Sequence, residues 1–451
     1  MKSTPFKIFS ALRLISSRFP IGVETIYKPI SSFSIIFIFI FIVSCVPVKN
    51  EFLKQTSINQ QKKETDKAEN NILEKESNKK NLIEAYNNTF LNKEVEVVLP
   101  RYENKNITDH LINSLELAVY KKKLNKVSLN INFYSDLEEL KLILKNKVSP
   151  GKIFIGTLAS QDSLEIKNFC KQGILFFSFA SDKKIANECS YLINFFPEDD
   201  LKALFSFFPE NSKIALLFPE NSYGKNINKI IDSAVLNSGS LLINRVSYKE
   251  DLSDARASIK ELSKYELRKL ELERQKKILK KKDDKISKQA LKKIKRFETI
   301  GQLDFTHIIL PDYGIRLLEI APLLPFYDVD PNLVQFVGTG VWDDKIFFDE
   351  PSLQGAIFPG IEAKERKDFF NFYELIYNKK PIRTATIPYD LLGIVNHMLS
   401  KEMTIKDAFN LLDNSNIKFS GIDGEFSFID NVIFRELKIL KIEKGKARKL
   451  N

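Results

Sequence analysis

The side chains that perform most enzyme chemistry are few and scattered in this sequence. It has three histidines, His110, His307 and His397, and each falls on a separate predicted helix or strand. None of them lies at metal-ligand spacing from a cysteine or a carboxylate pair, and the chain contains neither a P-loop nor a G-x-S-x-G nucleophile turn. Asp343 and Asp344 are adjacent on a predicted loop and would point apart, so we interpret them as turn or cap residues. The sequence therefore predicts a protein that is not an enzyme and that needs no metal or cofactor.

The three cysteines have different predicted roles. Cys45 ends an apolar run, 33–43, that follows several basic residues. This run is shorter than the roughly 20 residues of a membrane-spanning helix and has the length of the apolar part of a secretory signal. Residues 1–45 therefore form a predicted targeting segment, and the body is exported. Cys170 and Cys189 remain, and the sequence leaves open whether they form a disulfide or stay as buried thiols.

Residues 42–45, Ile-Val-Ser-Cys, resemble the lipobox of bacterial lipoproteins, in which the cysteine is acylated and becomes the mature N-terminus. The resemblance implies lipidation of Cys45, and the following Val46 implies outer-membrane sorting with the body facing the periplasm. Inner-membrane anchoring is the alternative address. An uncleaved N-terminal anchor is the other interpretation, since the lead before the apolar run is long for a signal peptide. Residues 46–93 contain many Lys, Glu, Asn and Gln, which predicts a disordered or partly helical tether.

Nearly all of the excess positive charge lies in one segment. The formal net charge is +11, and residues 255–300 hold 17 Lys and Arg against seven Asp and Glu. Because the rest of the chain is close to neutral, we predict no nucleic-acid binding. Apolar residues recur in this segment at three- and four-residue spacing around Asp283 and Asp284, which predicts a coiled-coil-like helical hairpin. The hairpin is either a solvated appendage or a docking surface for an acidic partner or anionic lipid head groups. The side chains assigned to such a surface are Arg268, Lys269, Arg274, Lys277, Lys281, Lys288 and Lys292.

Outside this segment, apolar strands alternate with amphipathic helices. In the stretch 213–261 a strand is followed by a helix and a second strand, the pattern of a parallel sheet covered on both faces. Ligands of such sheets sit outside the carboxyl ends of the strands, where Tyr223 is placed. Gly156, Ala159 and Ser160 lie at another strand-to-helix junction, which is either a site for a carboxylate or phosphate or a helix capped by Ser160 or Asp162.

Several segments together resemble the type I periplasmic binding protein fold. They are FIGTLASQDS, LFFSFAS, KIALLFPENSYGKNI, SYKEDLSD, FVGTGVWDD, KKPIRTATIPYDLLGIV and GIDGEFSF. The lipobox, the basic insertion and the run IAPLLPFYDV before VGTGVWDD resemble the penicillin-binding protein activator lipoproteins within that superfamily. The resemblance implies two α/β lobes, each a mostly parallel sheet flanked by helices, joined by crossings near 208–210, 360–362 and 412–415. The first lobe would comprise 94–209 and 361–412, the second 210–360 and 413–443 with the helical hairpin insertion at 255–300, and 444–451 would be a tail.

The resemblance also implies a ligand cleft between the lobes. The family's contacts would fall on Ser160, Ala180 or Ser181, Tyr223, and Trp342 or Asp343, where hydroxyls hold a carboxylate and Asp343 meets an ammonium. One departure is clear. Residues 101–105, Arg-Tyr-Glu-Asn-Lys, contain no glycine where the family usually has a small loop against the ligand.

Two functions follow from the resemblance. The first is a non-enzymatic outer-membrane lipoprotein that binds and activates a penicillin-binding protein, a peptidoglycan synthase of the periplasm. The alternative is the substrate-binding lipoprotein of an amino-acid-type ABC uptake transporter, which would hold a small polar ligand such as a branched-chain amino acid. A hydrolase on the same scaffold would need a nucleophile and base that the sequence does not place together.

Overall fold

The computed structural model describes residues 89–101, 106–362 and 365–450. The strands are β1 (Glu94–Pro100), β2 (Ser128–Tyr134), β3 (Ile153–Gly156), β4 (Leu175–Ser178), β5 (Ser190–Leu192), β6 (Lys213–Pro219), β7 (Leu241–Tyr248), β8 (His307–Ile309), β9 (Gln335–Val337), β10 (Ile357–Gly360), β11 (Phe419–Gly421), β12 (Gly424–Ile429), β13 (Val432–Arg435), β14 (Lys438–Glu443) and β15 (Lys446–Lys449). The targeting segment, its Cys45 and all but the end of the tether lie outside the described residues.

The helices connect the strands on both faces of the sheets. They are α1 (Asn106–Lys121), α2 (Leu137–Lys147), α3 (Ser160–Glu165), α4 (Pro197–Phe207), α5 (Ser222–Ser238), α6 (Ala255–Leu262), α7 (Tyr265–Lys280), α8 (Lys285–Ile294), α9 (Gly314–Ile320), α10 (Leu323–Phe326), α11 (Glu365–Tyr377), α12 (Thr386–Ser400) and α13 (Ile405–Asp413). Within the described ranges no helix combines the length and apolar character needed to cross a bilayer.

Two separate sheets define the two lobes, as the sequence predicts. The first has the order β11-β12-β13-β5-β4-β3-β1-β2 and the second the order β15-β14-β10-β9-β8-β6-β7. The strands β1–β5 pair in parallel, and so do β6–β10, while the C-terminal strands add antiparallel pairs at one side of each sheet.

The second sheet is covered on both faces, and β6 shows how its sequence achieves this. Ile214, Leu216 and Phe218 pack in the apolar core on one face. Ala215 and Leu217 pack in the core on the other face. Because successive side chains of a strand point to opposite faces, an uninterrupted apolar strand must be buried on both sides.

The first crossing between the lobes lies earlier than the sequence predicts. Helix α4 falls within 94–209, which the sequence assigns to the first lobe, but Leu201, Leu204 and Phe205 of this helix pack with Ile214 in the second lobe. The apolar face of α4 therefore places the crossing just before Pro197 and not at 208–210.

The third crossing lies later than predicted. The segment 413–443 was assigned to the second lobe, yet β11, β12 and β13 belong to the first sheet, where Val432 pairs with Leu192. Only β14 and β15 join the second sheet. The crossing is therefore at 436–437, and the predicted tail at 444–451 contains the edge strand β15.

The basic insertion forms the predicted hairpin, but its first part is core. Ala255, Ile259 and Leu262 of α6 are buried in the second lobe. The hairpin proper is α7 and α8, which pack against each other, with Asp284 accepting a hydrogen bond from the backbone N–H of Ser287 at the start of α8. Tyr265 holds its base to the lobe by packing edge-to-face on Tyr327 at 5.3 Å between ring centroids.

Candidate ligand cleft

The first lobe has a pocket where its central strands end. The cavity measures about 320 Å³ and is mostly apolar. Leu158 and Ala159 follow β3, Phe179 follows β4 and Asn194 follows β5, so the carboxyl ends of three neighbouring strands contribute to it. The residues that line it are Ile107, Leu111, Leu158, Ala159, Phe179, Asn194, Thr384 and Ile387. A cavity of this size is at the lower end of the range for small-molecule sites.

The hydroxyl groups at these strand ends are paired among themselves. Ser163 hydrogen-bonds to Thr157 at 2.6 Å and to Ser178 at 2.7 Å, and all three residues are buried. The side chain of Asn194 donates to the Phe179 carbonyl at 2.6 Å and accepts from the backbone N–H of Phe195 at 2.8 Å. This region therefore stabilises the turns around the pocket and leaves the pocket wall apolar.

The residues that the sequence places here lie one or two positions from residues of the wall and do not line it themselves. Ser160 is the first residue of α3, and its neighbour Ala159 occupies the cap position and lines the pocket. Ala180 is fully buried, and Ser181 is exposed and does not line the cavity. Neither Ser160 nor Asp162 caps the helix, since the cap residue makes no side-chain hydrogen bond. Instead, Asp162 accepts a hydrogen bond from Tyr134 at 2.6 Å.

In the second lobe, Tyr223 lies at a strand end as predicted. Its hydroxyl donates to Thr339 Oγ1 at 2.8 Å, and its ring meets Tyr313 edge-on at 6.1 Å. Burial is the main cause that raises the pKa of the Tyr223 phenol well above its ordinary value, so the group stays protonated. Asn221 positions the residue by accepting a hydrogen bond from Gly224 N at the start of α5. Tyr223 is thus an oriented aromatic ring that follows the carboxyl end of β6.

Trp342 is a core residue, which corrects its assignment as a ligand contact. The side chain is fully buried, and its indole Nε1 donates to the Leu310 carbonyl at 3.1 Å. Gly338 is required beneath it, because a Cβ at that position would come within 2.0 Å of the indole. The loop after β9 therefore packs its tryptophan inward and presents the next residue to the first lobe.

That next residue, Asp343, joins the two lobes. Its carboxylate accepts a hydrogen bond from Arg366 of α11 and lies 3.6 Å from Nε of Arg383, and both arginines belong to the first lobe. The expectation that Asp343 meets a ligand ammonium is wrong for this arrangement, because guanidinium groups already occupy the carboxylate.

Asp423 of the first lobe holds the same two arginines in place. It accepts from Arg366 Nε at 2.7 Å, from Arg383 Nη1 at 2.8 Å and from the Thr386 hydroxyl at 2.5 Å, with 1% of the residue exposed. Burial alone would raise the pKa of Asp423, but the guanidiniums of Arg383 and Arg366 hold it far below its usual range. Asp423 is therefore ionised and orients both arginines toward the second lobe.

A third guanidinium completes the cluster. Arg435 is 7% exposed, and burial lowers its pKa to about 10. It donates to the backbone carbonyl of Asn194 at 3.3 Å. Arg383 and Arg435 both lie over the ring of Phe195, at 4.1 and 4.8 Å from its centroid. We call Arg366, Arg383, Arg435, Asp343 and Asp423 the crossing cluster.

Two further carboxyl groups lie near this cluster. Asp390 accepts from the backbone N–H of Ile422 at 2.8 Å, and burial raises its pKa to about 6. Asp200 of α4 accepts from Gly340 N at 2.9 Å, and burial raises its pKa to about 7. The sequence analysis identified none of these residues except Asp343, although Arg383 and Asp390 lie within KKPIRTATIPYD and Asp423 within GIDGEF. The presence of charged residues inside those two motifs was the sequence signal from which these residues could have been identified.

The predicted hairpin surface is largely confirmed as exposed, with one exception. Lys269, Arg274, Lys277, Lys281, Lys288 and Lys292 are exposed on α7, α8 and the turn between them. Arg268 is half-buried and donates to the Gly301 carbonyl at 3.4 Å, and burial lowers its pKa. Arg268 therefore braces the base of the hairpin and does not belong to its outer surface.

The structure decides between the two alternatives that the sequence leaves open for Cys170 and Cys189, a disulfide or buried thiols. Cys170 and Cys189 form a disulfide that closes the segment between α3 and β5. Over the described part of the chain, no group of three or more His, Cys, Asp and Glu could hold a metal ion.

Comparisons with known proteins identify the fold. No family model matches the chain, and no curated protein matches it. A putative branched-chain amino acid ABC transporter protein from Rhodospirillum rubrum has a TM-score of 0.57 at 14% identity, covering 80% of this chain and 100% of that one. A solute binding protein of an ABC transporter from Rhodopseudomonas palustris BisB5, in complex with 3,4-dihydroxybenzoic acid, has a TM-score of 0.53 at 14% identity, covering 79% and 95%. A substrate-binding protein from Desulfitobacterium hafniense, in complex with Leu, has a TM-score of 0.50 at 14% identity, covering 79% and 99%.

At this identity the likeness establishes the fold alone. The chain has the two-lobed type I periplasmic binding protein fold, as the sequence predicts. The more specific resemblance to the activator lipoproteins is not confirmed by these comparisons.

Proposed function

We propose that this protein is a non-enzymatic solute-binding protein of the cell envelope, which captures a small organic molecule between its lobes for an ABC uptake transporter. The observation that carries the proposal is the pocket of about 320 Å³ at the carboxyl ends of β3, β4 and β5. This is the position where open α/β sheets bind ligands. The similar structures from Rhodopseudomonas palustris and Desulfitobacterium hafniense, which hold dihydroxybenzoic acid and leucine, support a ligand of this size. The proposal adopts the alternative function of the sequence analysis.

Lipidation of Cys45 and a membrane anchor fit this function. A tethered binding protein stays near the transporter that it serves, which raises its effective concentration there. The histidines support a non-enzymatic role. His110 is packed against Tyr373, whose hydroxyl it contacts at 2.7 Å, and His307 packs on Phe208 at 4.6 Å. Both therefore have structural partners.

A thermal-shift screen of the full-length protein against amino acids and small organic acids tests the proposal. We expect at least one of them to raise the melting temperature. Ala159→Phe, which fills the pocket, should abolish that shift. Ser181→Phe is the matched control, because it adds the same ring after the neighbouring strand outside the cavity and should leave the shift unchanged. A shift that survives Ala159→Phe would place the ligand elsewhere, and a screen without any shift would overturn the proposal.

Activation of a peptidoglycan synthase is the second candidate, and one observation favours it. The hairpin of α7 and α8 presents exposed cations on a rigid base that stands outside the two sheets. Such a surface suits an acidic protein partner. The comparisons offer no support for this role. Purified protein should then retain a bifunctional penicillin-binding protein and accelerate glycan polymerisation, and a variant without the hairpin should do neither. Equal activity of both proteins would remove the hairpin from consideration.

A further inference from the structure

The chemistry of the pocket specifies which small molecule it can accept. Six of its eight lining residues are aliphatic or aromatic or alanine, and the two polar ones are Asn194 and Thr384. The amide of Asn194 is already hydrogen-bonded on both sides. The hydroxyl of Thr384 makes no hydrogen bond to a described residue, so it is the lining side-chain group that a ligand can use. An apolar body with a single polar end matches this wall.

Each of the two polar lining residues is linked to an arginine of the crossing cluster. Thr384 directly follows Arg383, and Arg435 donates to the carbonyl of Asn194. Both guanidiniums lie over Phe195, the residue after Asn194. The positively charged guanidinium groups of Arg383 and Arg435 therefore lie next to the two polar lining residues.

Two of these guanidinium groups have N–H donors that can bind a further acceptor. Nε of Arg435 is buried, and no described residue accepts a hydrogen bond from it. Arg383 holds Asp423 at 2.8 Å but lies 3.6 Å from Asp343, beyond hydrogen-bond distance, while Arg366 contacts Asp343 closely. Arg383 can therefore turn to another carboxylate while Arg366 keeps Asp343.

The balance of charges around these arginines also favours binding of a further carboxylate. Among the described residues, Arg366, Arg383, Arg435 and Lys122 face the carboxyl groups of Asp343, Asp390 and Asp423. In this set the cations outnumber the carboxyl groups by four to three, and each of the three carboxyl groups already accepts a hydrogen bond. Asp200 is a further carboxyl near Arg383, and it is only partly ionised near neutral pH because burial raises its pKa to about 7.

We propose that the ligand is an apolar carboxylic acid without an ammonium group, with its hydrocarbon or aromatic body in the first-lobe pocket and its carboxylate on Arg383 and Thr384. This inference rests on the proposed function and narrows its ligand from small organic molecules in general to simple organic acids. The carboxylate of the ligand replaces the loose contact of Arg383 with Asp343, so binding occurs at the point where the lobes meet.

Matched ligands separate the alternatives by isothermal titration of the full-length protein. The probes are 4-methylpentanoate, leucine (the same skeleton with an ammonium group) and 4-methylpentanamide, together with 3-phenylpropanoate, phenylalanine and 3-phenylpropanamide. We expect at least one acid to bind about tenfold more tightly than its amino acid and its amide, since charge-assisted hydrogen bonds to arginine and the missing ammonium partner both favour it. Arg383→Gln should remove the preference for acid over amide, and Arg383→Lys should restore part of it.

Arg245→Gln is the control, because Arg245 pairs with Asp232 on the surface. Thr384→Val provides a second test should Arg383→Gln fail to fold, and it should weaken the acid more than the amide. Tighter binding of leucine or phenylalanine would overturn this inference and leave the proposed function intact. Equal binding of acid and amide would also overturn it. Failure of these probes and of the whole thermal-shift screen would overturn both.

Discussion

Asp343 of the second lobe accepts a hydrogen bond from Arg366 of the first lobe, and the same arginine is held from its own lobe by Asp423 at 2.7 Å. Arg366 is thus held in place within the first lobe, and the second lobe binds to it through Asp343. Removing the charge of Asp343 should release this attachment without disturbing either sheet, because Arg366 keeps Asp423.

The first prediction is that Asp343→Asn opens the molecule. We expect a larger radius of gyration in small-angle X-ray scattering and a loss of stability of about 1–3 kcal/mol, the usual cost of a broken buried charged hydrogen bond. Asp344→Asn is the matched control, because among the described residues the Asp344 carboxylate accepts from the nearby backbone N–H of Ile346 and from no group of the other lobe. An unchanged scattering curve for Asp343→Asn would show that the lobes are held by other contacts.

The second prediction concerns pH. Burial raises the pKa of Asp200 to about 7 from an ordinary value of 3.8, so the folded chain keeps a proton that the unfolded chain releases. Where the folded state binds more protons, the free energy of unfolding falls as pH rises. The decrease in the free energy of unfolding should begin above about pH 4 and be complete above about pH 7, with a size on the order of a few kcal/mol.

Asp200→Asn removes this proton and should flatten the profile. The variant should be more stable than the unsubstituted protein at about pH 8 and show little advantage at about pH 4, as measured by urea unfolding. Asp390, whose pKa burial raises to about 6, contributes with the same sign and is present in both proteins. Parallel profiles for the two proteins would contradict the assignment of this proton to Asp200.

The third prediction concerns the bond between Cys170 and Cys189, which are separated by 19 residues. Closing a loop of this length stabilises a protein by on the order of 3 kcal/mol, chiefly by restricting the unfolded chain. Cys170→Ser combined with Cys189→Ser should lower the unfolding free energy by about that amount. Equal denaturation midpoints for oxidised and reduced protein would show that the bond is absent in solution.

The fourth prediction uses Trp342, the single tryptophan of the chain. Its fluorescence should be blue-shifted in the native protein, because the indole is fully buried. Gly338→Ala would place a methyl group within 2.0 Å of the indole and should shift the emission to the red and lower the melting temperature. Gly355→Ala is a useful comparison, since nothing lies within 4 Å of a Cβ there, although its φ of 86° adds local strain. An unchanged emission for Gly338→Ala would mean that the indole packs differently.

The fifth prediction concerns the hairpin. Replacing 267–297 by a short Gly-Ser linker should leave the melting temperature nearly unchanged, because Tyr265 and Glu298 meet at 2.9 Å and the ends are close together. A deletion that starts at Leu262 should instead destabilise the second lobe by about 2–5 kcal/mol, because Leu262 is a core residue. Unfolding of the shorter excision would show that the hairpin supports the lobe.

The alternation of strands and helices was predictable because periodicity is a local property. Ile214–Phe218 and the helix after Tyr223 are legible in a short window of sequence. The crossings were not predictable in this way. Whether α4 packs on one sheet or the other depends on Leu201 and Leu204 meeting Ile214, a tertiary contact.

The candidate site shows the same division. Its general position followed from strand ends and from family motifs, but the residues that line it are neighbours of those predicted. Ala159 and not Ser160 faces the cavity because of the turn after β3, where Thr157 has a φ of 46°. The contact of Arg366 with Asp343 joins different lobes, and no local pattern in the sequence indicates that these two charges meet.

The division of the last strands between the sheets has a consequence for how the chain folds. Val432 pairs with Leu192, and the adjacent β14 pairs with β10 of the other lobe. The contacts that complete each sheet therefore span large separations in sequence. Such high contact order slows folding. Before β13 and β14 pair with β5 and β10, both lobes expose an unpaired strand edge, so a partly folded chain is prone to aggregation.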